Sequence, residues 1–99
     1  MPKLSDDVVA TRLKQSPGWS REGNALVRKY TFAGFPDAIA FVTRLAFEAE
    51  AADHHPDLLV SFKRVTVTWS THSDGGITEK DFAGVSQSDM IAAKLGTKA

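Results

Sequence analysis

The 99-residue chain carries three histidines and no cysteine. His54 and His55 are adjacent and precede Pro56, where the alanine-rich acidic stretch "EAEAAD" gives way to the strand-like "LLVSF". An unperturbed imidazole titrates at about 6.5, so neighbouring histidines can divide acid and base roles near neutral pH. Coupled titration lets one hold its proton while another stays neutral. That equips them for a dehydration, in which one group protonates a leaving hydroxyl and another removes the adjacent proton. Three imidazoles, or two with a carboxylate, could equally form a zinc site. Adjacent histidines, however, are not the i, i+4 helical pair of common zinc motifs. The plain alternative for each histidine is solvent-facing loop polarity.

Whether the three can act together depends on the elements that carry them. Leu4 to about Gln15 reads as a helix, with Ser5 as N-cap, Asp6 and Asp7 in the first turn, and a Val9–Leu13 stripe. "SPGW" ends it. Trp19 to Phe32 reads as a hairpin turning at "EGN" (Glu22 to Asn24), with Leu26, Tyr30 and Phe32 on one face, interrupted by Arg28. Pro36 to Ala52 is the strongest helix, its broad apolar face made by Ala38, Ile39, Phe41, Val42, Leu45, Ala46 and Ala49. Phe47 falls with Ala40 and Ala51 on a separate stripe, which is either incidental exposure or a subunit interface. Leu58–Phe62 and Val65–Thr71 form a second hairpin through Lys63 and Arg64, with Val65, Val67, Trp69 and Thr71 sharing one face. "ITEKDF" opens the last helix, with Thr78 as N-cap, Asp81 three residues on, and an Ile77–Phe82 staple. Gly84 and the "SQS" around Ser88 weaken its middle, so a kink or break is expected there.

The order α-β-β-α-β-β-α predicts one α+β domain over residues 1–99. It is a four-stranded antiparallel sheet with three helices packed on one face. In the second hairpin the start of one strand lies beside the end of the other. The region of Pro56–Leu58 therefore meets Thr71–His72, and His54, His55 and His72 converge on one end of the sheet. Pro56 disfavours helical geometry at His55 and turns it out of the helix path. Glu50, one turn before His54, and Asp81, after the "DGG" loop, can approach the same end. The bland readings are a solvated helix carboxylate for Glu50 and a capping-box member for Asp81.

"HHP", a strand pair and then "THSDGGITEKD" resemble the pterin-4a-carbinolamine dehydratase family, as do the leading helix, Trp19, the "GF" before the long helix, and Glu50 four residues before the His pair. The resemblance implies a hydro-lyase that removes water from 4a-hydroxytetrahydrobiopterin to give the quinonoid dihydropterin, in tetrahydrobiopterin recycling. It implies catalysis by His54, His55 and His72 without a metal or other cofactor, the pterin being the substrate. Asp81, Glu50, Pro56 and Thr71 are the expected substrate-binding set. It further implies homo-oligomers, through a sheet edge and through the 36–52 helix. Leu58 stands where many relatives carry an aromatic, so stacking on the pterin from that position is not expected. Animal members of the family also bind a transcription factor and stabilise its dimer, which leaves a non-catalytic interaction module as the alternative. Some bacterial relatives are associated with other pterins, such as those of molybdenum-cofactor metabolism.

Composition narrows the remaining classes. Twelve basic and twelve acidic residues cancel, and no Lys/Arg-rich run suggests direct nucleic-acid binding. No stretch is apolar enough for a signal peptide or a membrane span. With no cysteine, disulfides and thiolate chemistry drop out, which suits a reducing, cytoplasmic setting.

Overall fold

Alternation decides which way the second hairpin faces. Val65, Val67 and Trp69 are buried while Thr66, Thr68 and Ser70 are half-buried, as a period-2 strand covered on one face requires. The computed structural model describes residues 2–97. Its elements are α1 (Asp6–Lys14), β1 (Ser20–Glu22), β2 (Ala25–Thr31), α2 (Phe35–Ala52), β3 (Asp57–Ser61), β4 (Arg64–Trp69), a 3-10 turn at His72–Asp74, and α3 (Glu79–Leu95). The strands lie in the order β1-β2-β4-β3, each pair antiparallel. The α+β architecture is as the element order predicts. No helix among the described residues is long and apolar enough to cross a membrane.

Both hairpins turn on two residues. Glu22 pairs with Ala25, and Gly23 takes a positive φ of 62°, the glycine-first pattern of a type II′ turn. Ser61 pairs with Arg64, so the second tip is Phe62–Lys63, one residue earlier than the sequence suggests. Phe62 adopts φ 55°, a conformation that propensity rules reserve for Gly, Asn or Asp. Hairpin register outweighs local preference there.

The core lies between the sheet and the helices. Tyr30, Phe32 and Phe41 form its aromatic centre, with ring centroids 5.0–6.1 Å apart. From α2 it takes Ala38, Phe41, Leu45 and Ala49, a spacing of three and four that fits one helix face. Ile39 and Ala46, expected on that face, are exposed. The buried arc, which packs against α3 as well as β3 and β4, is narrower than the apolar one. α1 enters the same core through Val9, and its Arg12 pairs with Glu79 and lies over the Phe82 ring.

The expected break in the last helix does not occur: α3 runs unbroken from Glu79 to Leu95. Gly84 and Ser88, which weaken it locally, are what let it dock. A Cβ at Gly84 would sit 2.4 Å from the Trp69 ring atoms Cδ2 and Cε2. Ser88 Oγ donates to the Gly84 carbonyl (2.7 Å) and accepts from Trp69 Nε1 (3.0 Å). Packing of a buried indole outweighs a propensity deficit of about 1 kcal/mol for a mid-helix glycine.

Next to Ser88 on α3, Asp89 explains Arg28. Its Oδ1 accepts from Trp19 Nε1 (3.0 Å), Arg28 Nη1 (2.9 Å) and Tyr30 Oη (2.5 Å). The cation that interrupts the apolar face of β2 is thus paired, and it also lies 4.6 Å over the Tyr30 ring. Burial foremost, then the hydrogen bond to Asp89 and its charge, push the Tyr30 hydroxyl well above its ordinary value, against a smaller opposing pull from Arg28.

Because the folded value is raised, the corresponding stability is complete below pH ~10 and is lost as pH climbs above the unfolded value. Tyr30 is the chain's one tyrosine, so phenolate absorbance reports it alone. That absorbance is expected to appear only as circular dichroism shows the fold melting. A phenolate midpoint near pH ~10 in a still-folded chain would contradict this account.

Candidate active site

The site is organised by Asp81, the third residue of α3, whose side chain is 0% exposed. Thr78 caps the helix, and Asp81 returns the favour by accepting from the Thr78 backbone N–H, 3.0 Å from Oδ2. This is the capping box expected from the sequence. It does not exhaust the carboxyl. Thr71 Oγ1, two residues past the end of β4, donates to the same Oδ2 at 2.8 Å. His54 Nε2 meets Oδ1 at 2.7 Å. Thr71 and Thr78 also share a hydroxyl contact of 2.9 Å.

His54 reaches this carboxyl because of how α2 stops. Asp53 takes the left-handed conformation (φ 53°, ψ 41°), with its N–H returning to α2 carbonyls. The His54 N–H closes onto the Ala49 carbonyl at 3.1 Å, a Schellman-type ending. The chain therefore leaves the helix path at Asp53, before Pro56 exerts any influence. The His54 ring then stacks near Trp69, with centroids 5.4 Å apart and planes 23° from parallel. With Asp81 ionised, Nε2 must carry the hydrogen it shares with Oδ1. Nδ1 is then the nitrogen that can take or give a proton, and it meets no hydrogen-bond partner among the described residues. A buried carboxylate that fixes an imidazole's tautomer and direction is a recurrent arrangement in acid–base sites.

The other two histidines are held differently. His55 Nε2 lies 2.7 Å from Glu50 Oε1, an exposed pair on the surface at the end of α2 and of small energetic weight. His72, in the 3-10 turn, has Nε2 3.2 Å from Ser70 Oγ, on the row that alternates away from Trp69. His54 and Trp69 line an opening of about 500 Å³ between α2 and α3, with Ala49, Ala52, Gly84 and Lys80. His72 and Thr71 line a second opening of about 340 Å³, with Asn24, Ser70 and Gly76. Direct bonds thus join His54, Asp81 and Thr71, with Thr71 also facing the second opening and His72 its chain neighbour. Pro56 is half-buried where the chain enters β3. Among the described residues, no three histidine or acidic side chains are grouped to hold a metal ion.

Sequence reading did not single out Trp69, Ser88 or Gly84 as part of this region. Their one signal was Gly84 and Ser88 a single turn apart, small residues on one helix face where something large approaches closely. Leu58 packs toward the core, so the aromatic face at this end belongs to Trp69.

Residues 2–91 match the family described as pterin 4 alpha carbinolamine dehydratase. A relative from Chloroflexus aurantiacus, named as a candidate pterin-4-alpha-carbinolamine dehydratase, is 52% identical over 92% of this chain and 98% of its own. One from Mycobacteroides abscessus with the same name is 49% identical over 84% and 88%. A crystal structure of a transcriptional coactivator/pterin dehydratase from Brucella melitensis superposes with a TM-score of 0.88 at 33% identity, over 91% of this chain and 98% of that one. A pterin dehydratase-like RuBisCO assembly factor of the alpha-carboxysome shares the fold alone, at TM-score 0.62 and 21% identity over 75% of this chain and 86% of that one.

Replacing Asp81 by Ala removes a cap and leaves buried donors on Thr71 and Thr78 without an acceptor. The expected loss is on the order of 3 kcal/mol of unfolding free energy, a large share of a small domain's margin. Urea denaturation at pH 7 measures it, and a loss below ~1 kcal/mol would show that the carboxyl's bonds add little net stability.

Proposed function

Because the chain belongs to the pterin 4 alpha carbinolamine dehydratase family, we propose that it eliminates water from a 4a-hydroxytetrahydropterin, with His54 and His72 handling the protons. The substrate carries a hydroxyl on carbon 4a and a hydrogen on the neighbouring N5. A neutral imidazole takes the N5 proton, and the electrons left behind form the N5–C4a double bond. The C4a–O bond breaks, a protonated imidazole supplies the departing oxygen with its proton, and water leaves. No electrons are gained or lost, so acid–base groups suffice. The product is the quinonoid dihydropterin, ready for reduction in tetrahydrobiopterin recycling. Among the described residues, the observation that carries this reading is His54, held at Nε2 by buried Asp81 while Nδ1 is left for proton transfer. His55, backed by Glu50, positions the ring or shares the base role. A cysteine-free chain of this kind suits the reducing cytoplasm.

Turnover of chemically generated carbinolamine tests this, with and without chelator. His54→Ala and His72→Ala are each expected to lower kcat by about 10²–10⁴-fold, and chelator is expected to change nothing. Full turnover in both variants would sink the acid–base assignment. Loss of activity on chelation would replace it with metal chemistry.

The same reading includes self-association. Phe35, Ile39, Thr43, Phe47 and Ala51 follow one another at four-residue intervals along the solvent side of α2, and Phe47 is 74% exposed. With the Thr43 hydroxyl turned back onto the Ile39 carbonyl (2.9 Å), this largely apolar row on a long helix fits a second copy of itself. β3 is also an unpaired edge of the sheet, and Leu59 is exposed on it. Sedimentation at micromolar concentration is expected to show an oligomer, and Phe47→Glu a smaller species. A monomeric wild-type chain would defeat this prediction.

A further inference from the structure

Asp81 alone does not fix the plane of the His54 ring. One hydrogen bond at Nε2 sets the direction of that nitrogen but only loosely limits rotation of the ring about Cβ–Cγ, because Nε2 lies close to that axis. Holding Nδ1 in one place requires a second constraint acting on the ring's face. Trp69 is the side chain in position to impose it, lying within 23° of parallel to the imidazole at a centroid distance of 5.4 Å.

Trp69 is itself unusually well fixed. It is buried on β4, and its Nε1–H is anchored on Ser88 Oγ at 3.0 Å. Ser88 is in turn held by the Gly84 carbonyl at 2.7 Å. A Cβ on Gly84 would come within 2.4 Å of both ring-fusion carbons. The bond they share crosses the middle of the indole, and a point this close to both of its ends, and 2.7 Å from Cε3, lies over the ring's face rather than at its edge. The bare backbone of Gly84 is therefore the seat on which the indole rests. The other charged groups lining the same opening are Glu48 and Lys80, neither of which bonds to His54.

We propose that Trp69, seated on Gly84 and pinned by Ser88, is a positioning residue that sets the plane of His54 and so the place from which Nδ1 exchanges protons. The proposal rests on the dehydratase reading for its catalytic consequence and on geometry alone for the positioning. An indole seat, rather than a merely apolar one, is needed because only a rigid ring with its own hydrogen-bonded anchor can transmit a fixed plane. Misplacement of a reacting group by about 1 Å can lower a rate by on the order of 10²-fold.

The test uses Ser88→Ala, Trp69→Phe and Trp69→Leu, with His54 followed by NMR titration in the absence of substrate. Circular dichroism and urea midpoints confirm folding, and if Trp69→Leu does not fold, Ser88→Ala, which removes one hydroxyl, carries the test with Trp69→Phe. The expected result is a kcat lower by about 10–100-fold in Ser88→Ala and Trp69→Leu, with KM nearly unchanged and the His54 titration midpoint displaced. Trp69→Phe, which keeps a stacking ring, is expected to recover part of the loss. A His54 midpoint unmoved in all three variants overturns the proposal, as does wild-type kcat beside a moved midpoint. Absence of turnover in the wild-type chain overturns the dehydratase reading instead, and the NMR titration then still decides the positioning.

Discussion

Asp81 is an acidic side chain with no exposure to solvent, and the groups that satisfy it come from three separate parts of the chain. Thr78 contributes a backbone N–H at the start of α3, Thr71 a hydroxyl at the end of β4, and His54 a ring nitrogen just past α2. A buried carboxylate is tolerable only when its oxygens are fully bonded. The ends of α2, β4 and α3 must therefore arrive together for any of them to settle. One side chain thereby couples the stability of the sheet–helix junction to the orientation of the imidazole.

α3 extends the same logic along its inner face. Apart from its apolar residues it presents Gly84 to the Trp69 ring, Ser88 to the Trp69 N–H, and Asp89 to Trp19, Arg28 and Tyr30. Each of these is a poor choice for an isolated helix and a good one for the particular neighbour it meets. Polar groups inside a sheet–helix interface are stabilising only as a complete set. Among the described residues no buried side-chain nitrogen or oxygen lacks a hydrogen-bond partner.

Much of the scaffold was legible because it is written in local periodicities. The alternation of "VTVTWST" identified the buried face of β4, and the three-residue spacing of Thr78 to Asp81 identified a helix start. Where a longer-range constraint competed, local rules misplaced details. The second hairpin turns at Phe62, not at the expected Lys63–Arg64 link, because the pairing of β3 with β4 sets the register. Ile39 and Ala46 look as apolar as their neighbours but lie outside the arc that α2 buries against α3 and the sheet. Gly84 and Ser88 read as helix breakers because their compensating partner, Trp69, is remote in sequence.

By itself, then, the sequence determined how many elements there are, their order, which face of β4 is apolar, and that two histidines stand where α2 ends and a third where β4 does. Those properties depend on backbone periodicity and on capping chemistry within a few residues. Only the tertiary structure decided the partners: His54 with Asp81, 27 residues apart, Trp69 with Ser88, 19 apart, and Tyr30 with Asp89, 59 apart. It also separated roles the sequence left equal, drawing His54 against a buried carboxyl while His55 and His72 stayed exposed. The reason is geometric. Which side chains meet across the sheet–helix interface depends on the angle and depth at which the layers pack, and no run of neighbouring residues encodes that.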